Sequence, residues 1–142
     1  MRILGVDHGR QRIGLAISDE TGTVAQSIGY VRANISEVIR VATERRAGQF
    51  VVGLPRRLDG SASEQTDCTL AFIAALERAT QLPVLRWDER LTTAQATRVL
   101  IEGNVRRKDR KEKVDQLAAQ LMLQCYLDAH AVKMKNETEP FS

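Results

Sequence analysis

Short apolar blocks open the chain and give way to helical spacing after about residue 34. Arg2-Ile3-Leu4-Gly5-Val6-Asp7 and Arg12-Ile13-Gly14-Leu15-Ala16-Ile17-Ser18 read as two strands joined by the turn His8-Gly9-Arg10-Gln11. Thr21-Gly22-Thr23 offers a further turn, and Gln26 to Arg32 a third antiparallel strand. Val38, Val41 and Ala42 then fall on one helical face, with Asn34 and Glu37 spaced as a capping box and the helix ending near Gly48. Phe50-Val51-Val52-Gly53-Leu54, closed by Pro55, suits a buried strand. Leu70, Ile73, Ala74 and Glu77 mark a second helix, and Pro83 to Asp88 another strand. Thr92 and Gln95 suggest the cap of a third helix that stops at Gly103. A last helix starts near Val114 and carries Leu117, Ala118, Leu121 and Cys125 at helical spacing.

Three antiparallel strands followed by crossover units predict an α/β fold, a mixed sheet covered by helices. One domain over residues 1–132 accounts for the pattern, with residues 133–142 as a polar tail. At 142 residues the chain buries enough surface to fold without a disulfide or metal staple. Cys68 and Cys125 match no metal-ligand spacing and read as reduced, buried thiols. No signal-peptide pattern opens the chain and no apolar run reaches membrane-spanning length, so the expectation is a soluble cytoplasmic protein.

Charge changes the picture locally rather than in bulk. Lys and Arg outnumber Asp and Glu by 21 to 18, a formal charge of +3, which by itself says little about nucleic acid. The stretch Arg106-Arg107-Lys108-Asp109-Arg110-Lys111-Glu112-Lys113 is different: six cations against two anions make it either a solvated loop or a polyanion-binding element.

Strand ends in such a sheet share an edge, so carboxylates there converge although distant in sequence. Asp7 ends the first strand; it must leave the core or meet a cation, and Gly9 would leave backbone space for a phosphate or metal. A solvated turn Asp is the plainer alternative. Asp88 and Glu89 lie on opposite faces by strand parity, which favours Glu89 for a site and leaves Asp88 as a partner for Arg86 or Arg90. Asp115 occupies a first helical turn, where an acid also stabilises the helix dipole. His8 points away from Asp7 by the same parity and reads as structural, and His130 lies near the end of the last helix. Three hard oxygen ligands suit Mg²⁺ or Mn²⁺ rather than Zn²⁺.

Gly5-Val6-Asp7-His8-Gly9 with Arg12-Ile13-Gly14-Leu15-Ala16, Val52-Gly53-Leu54-Pro55 with Asp59-Gly60, Asp88-Glu89-Arg90-Leu91-Thr92-Thr93, and Lys113-Val114-Asp115 with Leu117-Ala118-Ala119 together resemble the YqgF (RuvX) family over roughly residues 1–128. The resemblance implies a ribonuclease-H-like fold related to the RuvC junction resolvases, with Asp7, Glu89 and Asp115 as catalytic metal ligands. It also implies a nuclease acting in 5′-end maturation of small-subunit ribosomal RNA or in Holliday junction resolution. Two divalent ions on such a trio would serve phosphodiester hydrolysis. Arg10, Arg12, Arg106, Arg107, Lys108, Arg110 and Lys111 would then grip flanking phosphates, and resolving a two-fold junction would call for a homodimer. Two rivals belong to other classes. An ATP-binding protein of the actin and sugar-kinase type would need a second domain and a second phosphate hairpin, which this length does not supply. A non-catalytic RNA-binding ribosome-assembly factor would not need the acidic trio.

Overall fold

The computed structural model describes residues 1–92 and 117–131. In chain order these form β1 (Arg2–His8), β2 (Arg12–Ser18), β3 (Ala25–Arg32), α1 (Ile35–Glu44), β4 (Ala47–Leu54), α2 (Glu64–Ala79) and β5 (Val84–Asp88). Residues 89–92 are the described start of α3, and residues 117–131 are helical, here α4. The strands make one sheet in the order β3-β2-β1-β4-β5, antiparallel from β3 to β1 and parallel from β1 to β5. That is the predicted mixed sheet.

Period-two alternation sends side chains to two different layers. Leu4, Val6, Ile13, Leu15, Phe50, Val52 and Leu54 meet Val38 and Val41 of α1 and Phe72, Ile73 and Leu76 of α2. On the other face Ile3, Ala16 and Val51 meet Ala119, Met122, Leu123 and Leu127 of α4. Gly5 permits the close approach of α4, since a Cβ there would lie 2.9 Å from the Leu123 Cβ. Leu123 is fully buried, and truncating such a leucine to alanine typically costs about 2–5 kcal/mol.

Several local expectations are corrected. α1 ends at Glu44, because Arg46 turns the chain at φ 56° and Gly48 already belongs to β4. Asn34 does cap α1, but it accepts from the Ser36 N–H (2.8 Å) while Glu37 pairs with Arg40 (2.7 Å), so no capping box forms. Thr92 already lies within the described helical residues 89–92, at whose start the Asp88 Oδ1 accepts the Arg90 backbone N–H at 3.0 Å; Gln95 and the expected helix end at Gly103 lie outside the described residues. The apolar stripe of α4 is rotated from the expected one, with Leu117 exposed and Ala119, Met122 and Leu123 turned inward beside Cys125. Cys68 is exposed, not buried, because α2 turns Thr69, Phe72 and Leu76 to the sheet and leaves Cys68 on its outer side. Among the described residues no helix is long and apolar enough to cross a membrane.

Candidate active site

One row of residues crosses all five strands on the face that carries α4. Tyr30 of β3 pairs with Gly14 of β2, and Gly14 with Asp7 of β1. Gly53 of β4 follows Val52, the partner of Val6, and pairs with Trp87 of β5. Asp7 therefore stands on a floor of two glycines, with an aromatic ring toward each side of the sheet. A strand of period two places Asp7 on the side of Ile3 and Gly5, whereas Leu4 and Val6 go to the main core.

Glu89, the first residue of α3, reaches back over this floor. A Cβ on Gly53 would lie 2.7 Å from its Oε1 and 3.0 Å from its Cγ, so the glycine makes room for the carboxyl group. Glu89 shares a side-chain hydrogen bond with Asp7. Burial, followed by the neighbouring Asp7 charge, pushes the Glu89 carboxyl up to about 8, so the pair is crowded and retains a proton at neutral pH. Crowding of this kind marks a place where a cation would be favoured.

Asp88 is occupied elsewhere. Arg90 donates from Nη2 to its Oδ2 at 2.6 Å and from Nε to its Oδ1 at 3.1 Å, and these bonds hold the Asp88 carboxyl below its ordinary range. Arg90 Nη1 also donates to the Leu58 carbonyl at 3.4 Å, tying the loop after β4 to the start of α3.

His8 lies on the opposite face from Asp7. Its ring stacks on Phe72 at 4.5 Å, its Nδ1 stands 3.3 Å from Thr69 Oγ1, and burial lowers its imidazole below the ordinary value against the raising effect of Asp7. Arg10 is exposed, 3.8 Å from Glu64. Arg12 stacks its guanidinium 4.3 Å from the centroid of the Tyr30 ring, at one end of the residue row. Gly9 does not offer open space for a phosphate: a Cβ there would lie 2.5 Å from the Arg12 carbonyl oxygen, to which the Gly9 N–H donates at 3.1 Å. Closure of the hairpin, not ligand access, requires that glycine.

Asp115 and Arg106, Arg107, Lys108, Arg110 and Lys111 lie outside the described residues. Among the described residues no three His, Cys, Asp or Glu side chains gather as a metal site, so Asp7 and Glu89 form a pair. The described part of α4 approaches that pair, since a Cβ on Gly14 would lie 3.6 Å from Ala119 Cβ and 3.7 Å from Asp7 Cβ. A larger cavity of about 570 Å³, lined by Met1, Arg2, Glu20, Glu44, Arg45 and Arg46, sits at the opposite end of β1 and has no share in this arrangement.

Sequence reasoning missed Gly53, Tyr30 and Trp87. A glycine inside an apolar strand does signal close approach of another group. The two aromatics gave no signal, because only strand register sets them beside Asp7.

A family model described as "RuvX: Holliday junction resolvase" matches residues 1–129. The chain is 40% identical over 139 residues to a protein of Thermoanaerobacter pseudethanolicus named "Putative pre-16S rRNA nuclease", covering 94% of this chain and 100% of that one. A protein of the same name from Myxococcus xanthus is 42% identical over 135 residues, covering 92% and 89%. Among solved structures, Thermus thermophilus RuvC in complex with a Holliday junction superposes with a TM-score of 0.57 at 14% identity, over 92% of this chain and 96% of that one. At that identity the likeness shows the ribonuclease-H-like fold alone.

Proposed function

Since this chain belongs to the RuvX family, we propose that it is a divalent-metal-dependent endonuclease of structured nucleic acid, acting on the 5′ end of pre-16S ribosomal RNA, on Holliday junctions, or on both. The observation that carries the reading is the Asp7–Glu89 pair, two carboxyl groups sharing a hydrogen bond over a glycine floor. A protein that only bound RNA would have no use for two carboxylates crowded together at a cost in stability.

The donor set fits a hard cation. Asp7 and Glu89 would hold Mg²⁺ or Mn²⁺, two ions in all, with Asp115 as the third carboxylate. When bound, such ions polarise phosphate oxygens and make water a stronger nucleophile near neutral pH. The chain's own residues do the rest. Glu89 gives up the proton it shares with Asp7, which leaves both groups anionic. Gly53 leaves room for the Glu89 carboxyl group and Gly14 for Ala119 of α4 beside Asp7, so the two glycines let side chains from both helices close on Asp7. Arg12, held against Tyr30, and exposed Arg10 offer cations to the phosphates on the β2 side. The 106–113 stretch adds cations that bind without choosing a sequence. Cutting both strands of a two-fold junction calls for a second copy of the chain, and action on pre-ribosomal RNA implies a cytoplasmic protein.

The test is a cleavage assay in Mg²⁺ or Mn²⁺ with a pre-16S ribosomal RNA fragment, a four-way DNA junction and plain duplex side by side. Cutting of either structured substrate, abolished by EDTA and by Asp7→Asn, is the expected result. Binding without cleavage under every metal condition would return the protein to the class of assembly factors.

A further inference from the structure

We propose that the cleft between β5 and α4 is a stacking site for an unpaired nucleobase of the strand being cut. The proposal rests on the nuclease reading and adds a subsite to it. The cleft has a volume of about 380 Å³ and is lined by Leu85, Trp87, Tyr126, Ala129 and His130. Three rings form a ladder along it. Trp87 and Tyr126 meet edge to face at 6.0 Å, and Tyr126 and His130 lie nearly parallel at 5.9 Å.

The polar tips of the two inner rings are already engaged. Trp87 Nε1–H donates to Thr92 Oγ1 at 2.7 Å, and the Tyr126 hydroxyl accepts from Gln49 Nε2 at 3.1 Å. What the cleft offers a ligand is therefore ring surface held in fixed orientation, together with exposed Leu85, and little base-reading hydrogen bonding. Such surfaces bind the face of any base without regard to sequence.

Position identifies the occupant. Trp87 is the strand partner of Gly53, over which the Glu89 carboxyl sits, so the cleft begins beside the site where a phosphate would be cut. β5 is the edge of the sheet, which leaves that flank open among the described residues. None of the described lining residues is acidic, so no fixed negative charge in the cleft opposes a nucleic-acid strand. A base inside a duplex is stacked on its neighbours and cannot enter such a cleft. The site thus favours a strand with a free base close to the cut, as at a junction, a flap or a single-stranded end.

Trp87 is the only tryptophan in the chain, so its emission reports on the cleft directly. The experiment titrates the full chain, in EDTA to prevent cutting, with a short single-stranded oligonucleotide, the same strand with abasic positions, and a blunt duplex. Saturable quenching by the intact strand, much weaker for the abasic strand and the duplex, is expected. His130→Ala should weaken single-strand binding roughly 5- to 150-fold, and His130→Phe should restore much of it. Equal affinity for intact and abasic strands with unchanged Trp87 emission would overturn the stacking site even if the protein cuts its substrates. Failure to bind or cut any nucleic acid would instead remove the nuclease reading beneath it. Emission that follows protein concentration rather than oligonucleotide would assign the cleft to a second copy of the chain and overturn the proposal as well.

Discussion

The Glu89 carboxyl group stands over Gly53, so close that a Cβ on residue 53 would lie 2.7 Å from Glu89 Oε1. Space on β4 thus sets where a side chain from α3 comes to rest, and Asp7 receives its partner through a residue with no functional group.

Gly53→Ala should therefore act as a site mutation. The methyl group displaces Glu89 from Asp7 while the strand on both sides stays buried, so the fold should persist. Displacing a ligand's support typically lowers metal affinity or activity about 10–100-fold. Metal titration and cleavage rates check this; wild-type values for both would mean that Glu89 has other room to move.

The acidic pair predicts an unusual pH profile. The Glu89 carboxyl titrates near 8 in the folded protein against an ordinary value of 4.5, so between those limits the native state holds a proton that the unfolded chain has lost. Stability of the metal-free protein should accordingly fall as pH rises from about 4.5 to about 8. Glu89→Gln should flatten that decline, and added Mg²⁺ should oppose it in the wild type. Thermal melting from pH 5 to 9, with and without metal, measures all three. Metal binding at pH 7 should also release a proton, visible by calorimetry in buffers of different ionisation enthalpy.

Asp7→Asn, Glu89→Gln and Asp115→Asn should each reduce cleavage steeply while nucleic-acid binding persists. Because the three are proposed to hold one metal cluster, a double variant should be scarcely slower than the slower single. Rate losses that multiply would show that the carboxylates act independently.

Asp88→Asn should retain most activity, since asparagine still caps α3 and only a partly exposed ion pair with Arg90 is weakened. Asp88→Ala removes the cap too, and should cost about 1 kcal/mol in a denaturant melt. An inactive but stably folded Asp88→Asn protein beside an active Glu89→Gln protein would exchange the roles of the two residues.

Replacing Arg106, Arg107, Lys108, Arg110 and Lys111 together by alanine should weaken binding and flatten its salt dependence, by about 0.7–0.9 in log–log slope for each phosphate that is no longer neutralised. Arg12→Ala should leave one further phosphate without its cation. An unchanged slope in the multiple variant would make the stretch a solvated surface.

Sequence alone determined the architecture, because alternation and helical spacing are local properties. The five strands, α1, α2 and α4 follow from where Leu4, Val6, Val38, Phe50, Ile73 and Cys125 recur. Strand parity also separated Glu89 from Asp88, although Glu89 in fact begins a helix. Ends of elements were less legible. Arg46 rather than a glycine turns the chain after α1, and Asp88 caps α3 with a bond that depends on where β5 stops. Tertiary structure decided the rest of the site. Strand register, which no local pattern encodes, aligned Tyr30, Gly14, Asp7, Gly53 and Trp87 across five strands. Packing of α4 against β4 and β5 then brought Tyr126 to Trp87, residues 39 positions apart in sequence, and made an aromatic cleft in a chain with only 4% aromatic residues. Side chains meet in such places because a sheet orders strands by pairing rather than by sequence, so chemistry shared between strands exists only once the sheet has formed.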